Sequence, residues 1–204
     1  MDTERADSGK YGIAELLGMA RERVVPLVAG LPDGALGAST PCAEYDVKAL
    51  VNHLFQVVVE FQKLAAKGTA DFSGAVPDLV GTEPGWRERF AGETDRLVAA
   101  WAAPGAEEGV AGGWGMPAPL VGAMALLDLT VHGWDLARAT GVPYPVDEEL
   151  APVVDRLAVT VAELGPTARS TGVFGEPVAV GADASAFERL LAGTGRDPGW
   201  AGRG

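Results

Sequence analysis

The chain has 204 residues, a net charge of -12 and a sequence pI of about 4.5. So large an acidic surplus repels phosphate backbones and anionic bilayers, and no Lys/Arg cluster reverses it locally, which argues against nucleic acid or a membrane as partner. Its one cysteine, Cys42, cannot form an internal disulfide, so nothing asks for an oxidising compartment.

The length suits a single domain of helices with a small C-terminal addition. The N-terminal MDTERADSGK is polar and charged, unlike a signal peptide, and no stretch is expected to reach the roughly 18 apolar residues of a membrane span. A cytoplasmic location is the resulting expectation. The 28 glycines and 14 prolines cluster between periodic segments and act as punctuation.

Taken in chain order, Ile13, Leu16, Leu17, Ala20, Val24 and Leu27 recur at helical spacing and predict a first helix from about Ser8 to Ala29, with Pro26 straining or ending its last turn. Leu31-Pro32-Asp33-Gly34 is a turn, and Ala38 to Tyr45 a loop or short helical turn. Asp46 is then an N-cap, opening a second helix from about Val47 to Lys67 that Gly68 stops. Residues Thr69 to Pro84 hold Pro77, Gly81 and Pro84 and form a long connection, of the kind that lets two helices of a bundle run parallel.

A third helix from about Gly85 to Ala102 turns Trp86, Phe90, Leu97, Val98 and Trp101 toward a core. Gly105 to Gly115 is a Gly-rich loop, after which Pro117 or Pro119 opens a fourth helix running to Thr140, stopped by Gly141. Asp147 caps a fifth helix through Leu164. The tail offers a short strand near Val178-Ala179-Val180 and a short helix from about Ala184 to Ala192.

The chain's two histidines both fall inside apolar helices: His53 within Leu50 to Val59, and His132 within Met124 to Asp135. Asp128 stands one turn before His132, on the same helix face. That pair can approach one metal ion from a single helix while His53 closes the site from a facing one. Three protein ligands leave a coordination position open, as catalytic sites do and structural zinc sites do not. On spacing alone the competing reading is an intrahelical Asp128/His132 pair, with His53 a core histidine bonded to a backbone carbonyl or to Tyr45.

Two stretches, Thr40-Pro41-Cys42-Ala43-Glu44-Tyr45-Asp46-Val47-Lys48-Ala49-Leu50-Val51-Asn52-His53-Leu54 and Asp128 to Gly141, carry a resemblance, supported in the tail by Phe174 to Val178 and Arg189-Leu190-Leu191. The chain resembles the DinB-like metal-binding bundles, in the branch of mycothiol-dependent maleylpyruvate isomerase-like proteins of mycothiol-using bacteria. The resemblance implies an all-α fold: a DinB-like four-helix bundle with a long crossover connection, plus an additional helix and a small C-terminal extension. Residues 1–165 would form the metal-binding bundle and residues 166–204 an extension packed on it. It also implies that His53, Asp128 and His132 are the metal ligands. Asp128 departs from the glutamate familiar in the isomerase by being one methylene shorter, and Tyr45 stands where a tryptophan is common, a packing change.

Other residues carry two readings each. Asp135 either orients the His132 imidazole or serves as a fourth ligand, or else caps a neighbouring loop. Arg138 binds an anionic substrate or pairs with Glu148 or Glu149. Asn52 points away from His53 around the helix, toward solvent or a neighbouring helix. Amides at the start of the second helix can lower the Cys42 pKa, although a buried structural thiol is the reading preferred. Trp134 and Trp114 are both read as packing residues, with Trp114, in the Gly-rich loop, the better candidate if one of them touches a ligand.

The expected function, by resemblance, is a metal-dependent transferase or isomerase in which a metal-bound thiolate of mycothiol attacks a small electrophile. The expected cofactor is a divalent ion, Zn2+ first, with Ni2+ or another first-row ion as alternatives. A non-catalytic metal- or small-molecule-binding protein and a metal-dependent hydrolase are the competing classes. The expected partners are the electrophile and a low-molecular-weight thiol, and monomer and homodimer both stay open.

Overall fold

A computed structural model describes residues 10–113 and 115–202. The expected helix start at Ser8, most of the polar N-terminal segment and Trp114 lie outside the described residues. The chain is all-α: a helical bundle in which the described residues contribute one two-stranded ribbon. Its helices are α1 (Ile13–Ala29), α2 (Val47–Ala65), α3 (Leu79–Thr82), α4 (Trp86–Trp101), α5 (Ala118–Thr140), α6 (Ala151–Ser170) and α7 (Ala186–Gly193).

Four of them form the bundle. Both α1 and α2 pack against α4 and against α5, so α1 and α2 occupy diagonal corners. Pairwise contacts set the directions. Phe55 meets Phe90 at 5.3 Å and, further along both helices, Gln62 donates to the Glu93 carbonyl at 3.1 Å, so α2 and α4 run parallel. By contrast Arg21 reaches Asp95 and the later Leu31 meets the earlier Arg87, which makes α1 antiparallel to α4. Two consecutive parallel helices require the chain to return the length of the bundle between them, as the long connection predicted.

That return is bonded to α2 along its way. The Asp71 amide donates to Glu60 at 2.9 Å near the end of α2. Near its start, Asn52 donates to Asp78 and accepts from the Val80 amide, both at 3.0 Å, while Lys48 reaches Asp78 at 2.7 Å. Asn52 therefore takes the interhelix role, and the turn α3 inside the connection, absent from the sequence reading, is capped by Asp78.

The predicted apolar stripes become the core. In α1, Ile13, Leu16, Leu17, Ala20, Val24 and Leu27 are all buried, and the helix continues past Pro26 to Ala29. In α4, Trp86, Phe90, Leu97 and Trp101 are buried and Val98 half-buried. Nearly every side of α5 is enclosed, which explains its lack of a polar face. By length and composition α5 could cross a bilayer, but 89% of that apolar window is buried within the bundle. Gly122 lets α5 approach its neighbours: a Cβ there would lie 2.6 Å from Ile13 Cγ2 and 3.0 Å from Trp101 Cζ3.

The C-terminal half departs from the expected boundaries. The Gly-rich loop carries a small antiparallel ribbon, β1 (Val110–Ala111) with β2 (Met116–Pro117). Asp147 caps a single 3-10 turn, Glu148–Leu150, and α6 follows, running beyond Leu164 and through Pro166 to Ser170. Val178 to Val180 form no strand, because the Val178 amide is taken by the Ala192 carbonyl at the end of α7. A Ser185/Glu188 capping box starts α7, which packs on α6.

Candidate metal centre and its pocket

Antiparallel packing of α2 against α5 brings the two histidines together. The His53 and His132 rings meet edge to face, with centroids 5.1 Å apart. His132 Nε2 lies 3.7 Å from Asp128 Oδ1, and the donor atoms of His53, Asp128 and His132 all fall within 4.8 Å of one another. Two imidazoles and a carboxylate converging in this way are a donor set suited to Zn2+ or a similar divalent ion.

Burial and hydrogen bonding prepare both rings. His132 is buried, and its Nδ1 lies 2.9 Å from Oδ2 of the fully buried Asp135. With Nδ1 donating to that carboxylate, Nε2 is left as the lone-pair nitrogen, on the side facing Asp128. Asp135 thus sits behind His132. Its Oδ1 has no hydrogen-bond partner among the described residues. Burial pushes the His53 pKa below its ordinary 6.5, opposed by the Asp128 charge, which favours the neutral, lone-pair-bearing ring.

The three donors open onto a cavity of about 590 Å3. Val57 and Phe61 of α2 and Met124, Leu127 and Val131 of α5 supply apolar wall; residues 41–45 form one rim, and 171–175 with 194–196 the other. The first rim is held by Thr40, whose hydroxyl lies 2.9 and 2.8 Å from the carbonyls of Cys42 and Tyr45. The second is held where Gly175 meets Gly195. A Cβ on Gly195, itself at φ +86, would lie 2.6 Å from Gly175 Cα.

Cys42 is half-buried and lines this cavity. Its thiol, a ring nitrogen of His132 and the Asp135 carboxylate also lie within 4.8 Å of one another. Burial raises the Cys42 pKa, with Arg196 opposing, so lowering by helix amides, the reading not preferred from the sequence, is not what dominates. Tyr45 stacks on His53, centroids 5.2 Å apart and rings within 15° of parallel, and burial raises its pKa as well.

Arg138 turns away from the cavity. Its guanidinium donates to the Trp200 carbonyl and lies over the Trp134 ring, pairing with neither Glu148 nor Glu149. Trp134 is a core residue, as expected. The arginine that does line the cavity is Arg196, which sequence reasoning passed over. Its Nη2 is 3.4 Å from Asp135 Oδ2 and its Nη1 donates to the Thr194 carbonyl at 3.2 Å. It stands in a loop with no periodicity, far from either histidine in the chain, and nothing local marks it.

The family model for the mycothiol maleylpyruvate isomerase N-terminal domain matches residues 17–137. The chain belongs to this family. It is also similar to two proteins of Mycobacterium tuberculosis, each 31% identical over 169 residues, covering 75% of this chain and 80% of the relative: Uncharacterized protein MT0763 of strain CDC 1551 / Oshkosh and Uncharacterized protein Rv0738 of strain ATCC 25618 / H37Rv. No solved structure matches. Cys42, Tyr45, His53, Asp128, His132 and Asp135 all lie within the part that matches the mycothiol maleylpyruvate isomerase N-terminal domain, whereas the 171–175 and 194–196 rim, with Arg196, lies beyond it.

Proposed function

We propose that this member of the mycothiol maleylpyruvate isomerase family is a metal-dependent thiol transferase or isomerase: it binds one divalent ion, Zn2+ first, through His53, Asp128 and His132, and brings a low-molecular-weight thiol of the mycothiol type to a small electrophile. The observation that carries this reading is the convergence of the three donors on an open cavity with Asp135 bonded behind His132. A bound divalent ion would supply Lewis acidity, lowering the pKa of an incoming thiol and polarising the electrophile.

The remaining work belongs to the chain's own residues. Asp135 accepts the hydrogen bond of His132 Nδ1 and fixes the ring, the apolar walls exclude water from the reacting atoms, and Arg196 offers a positive charge to an anionic group of the ligand. In a chain of net charge -12, that guanidinium at the cavity is a local exception.

Metal analysis of protein purified without chelator or nickel resin, paired with a screen for joint consumption of thiol and electrophile, tests the reading. Near-stoichiometric metal that is lost in His132→Ala and kept in Cys42→Ala is the expected result. Less than a tenth of an equivalent after incubation with Zn2+ defeats it, and hydrolysis without thiol consumption replaces the transferase by a hydrolase.

A further inference from the structure

The phenol of Tyr45 is a polar group at this cavity that the reading above leaves without a task. The ring lies flat on His53, at 5.2 Å and 15°, and edge-on to His132 at 6.5 Å. Its hydroxyl makes no hydrogen bond among the described residues, although the residue lines the cavity beside Asp128 and Cys42. The backbone carbonyl of Tyr45 is bound by Thr40 at 2.8 Å, and the amide of Tyr45 donates to the Cys42 carbonyl at 3.0 Å. A ring clamped between a fixed backbone and a stacked histidine holds its O–H at one place rather than sweeping the cavity.

A tryptophan at this position would stack equally well, so the stack alone does not call for a tyrosine. What the tyrosine adds is a hydroxyl at the tip of the ring. In the cavity that Tyr45 lines, such a donor is available to a bound ligand, and Arg196 offers a second set of donors to the same cavity. A ligand that suits both must carry acceptor oxygens, and its remaining surface must suit the walls of Val57, Phe61, Leu127 and Val131.

We propose that Tyr45 is a specificity-determining hydrogen-bond donor of this site, selecting ligands that present a carboxylate or carbonyl oxygen next to the atom held by His53, Asp128 and His132. The inference rests on the metal reading above, for which Co2+ uptake is a separate check.

The test uses the full chain loaded with Co2+, whose visible spectrum reports entry of a ligand into the open coordination position. Wild type and Tyr45→Phe, which keeps the stack and removes the hydroxyl, are titrated with acetate and, separately, with ethanethiol. Loss of one hydrogen bond should weaken acetate about 5- to 10-fold in Tyr45→Phe, with Co2+ affinity and ethanethiol affinity unchanged. Acetate binding equal to wild type overturns the proposal, as does an equal weakening of acetate and ethanethiol, which is the mark of a structural role. A wild type that takes up no Co2+ defeats the metal reading and this inference with it; uptake with unaltered acetate binding defeats this inference alone.

Discussion

Asp135 is among the most demanding residues of the molecule. It is a fully buried carboxylate with one oxygen bonded to His132 and one without a partner among the described residues. Placing such a group in the interior is costly unless its charge is used. Orienting an imidazole for a cation is such a use. Asp135→Asn keeps the shape and removes the charge, and should lower Zn2+ affinity about 10- to 100-fold, measured by competition against a chromophoric chelator; unchanged affinity would reduce Asp135 to a packing residue. His53 makes a prediction of a different kind. Burial lowers its folded pKa below the ordinary 6.5, so the unfolded chain binds the proton more readily. Stability of the metal-free protein should therefore be intact above pH 6.5 and fall as the pH drops below it toward the folded pKa. Thermal melts across this range check it, and His53→Gln should flatten that part of the profile.

At the scale of elements, the crossover decides the direction of α4. Its anchor is Asn52, which bonds both Asp78 and the Val80 amide from the interior of α2. Removing it leaves a buried amide without an acceptor. Asn52→Ala should cost about 2 kcal/mol in urea unfolding and should raise protease cleavage between Gly68 and Gly85 before any other segment; a loss within a few tenths of a kcal/mol would mean that the Lys48–Asp78 pair and the α3 turn suffice. The other element whose geometry matters is α5. It supplies Asp128, His132 and Asp135 from successive turns, and its register against α1 and α4 is set by Gly122, where no side chain fits beside Ile13 and Trp101.

On the scale of the whole molecule, the proposed metal donors come from α2 and α5 and the cavity is closed by segments at 41–45, 171–175 and 194–196. A ligand that binds only the assembled arrangement stabilises it by mass action. Zn2+ at a hundred times its dissociation constant should add about 2.7 kcal/mol, seen as a rise of several degrees in melting temperature that His132→Ala abolishes. An identical rise in the variant would place the ion elsewhere.

Much of this was legible in the chain itself. The helical stripes of α1, α2 and α4, the cap at Asp46, the punctuation at Gly141, and the i,i+4 spacing of Asp128 and His132 are local consequences of a 3.6-residue period and of backbone chemistry, and they hold in the folded protein, whereas α2 ends at Ala65 with Lys67 rather than Gly68 in the left-handed region. The two motifs around His53 and His132 also carried the family: the first lies wholly within the matched 17–137 and the second as far as Ala137. Helix ends in the C-terminal half were less legible: propensity stops α6 at Leu164, whereas packing against α5 and α7 carries it through Pro166 to Ser170. Arg196 and Arg138 have no local signature that separates them. One lines the cavity and the other is tied to Trp200 because of how the tail folds back over the bundle, and that path depends on long-range burial rather than on any period in the sequence. The same holds for Cys42, which has no histidine near it along the chain and has His132 beside it in space.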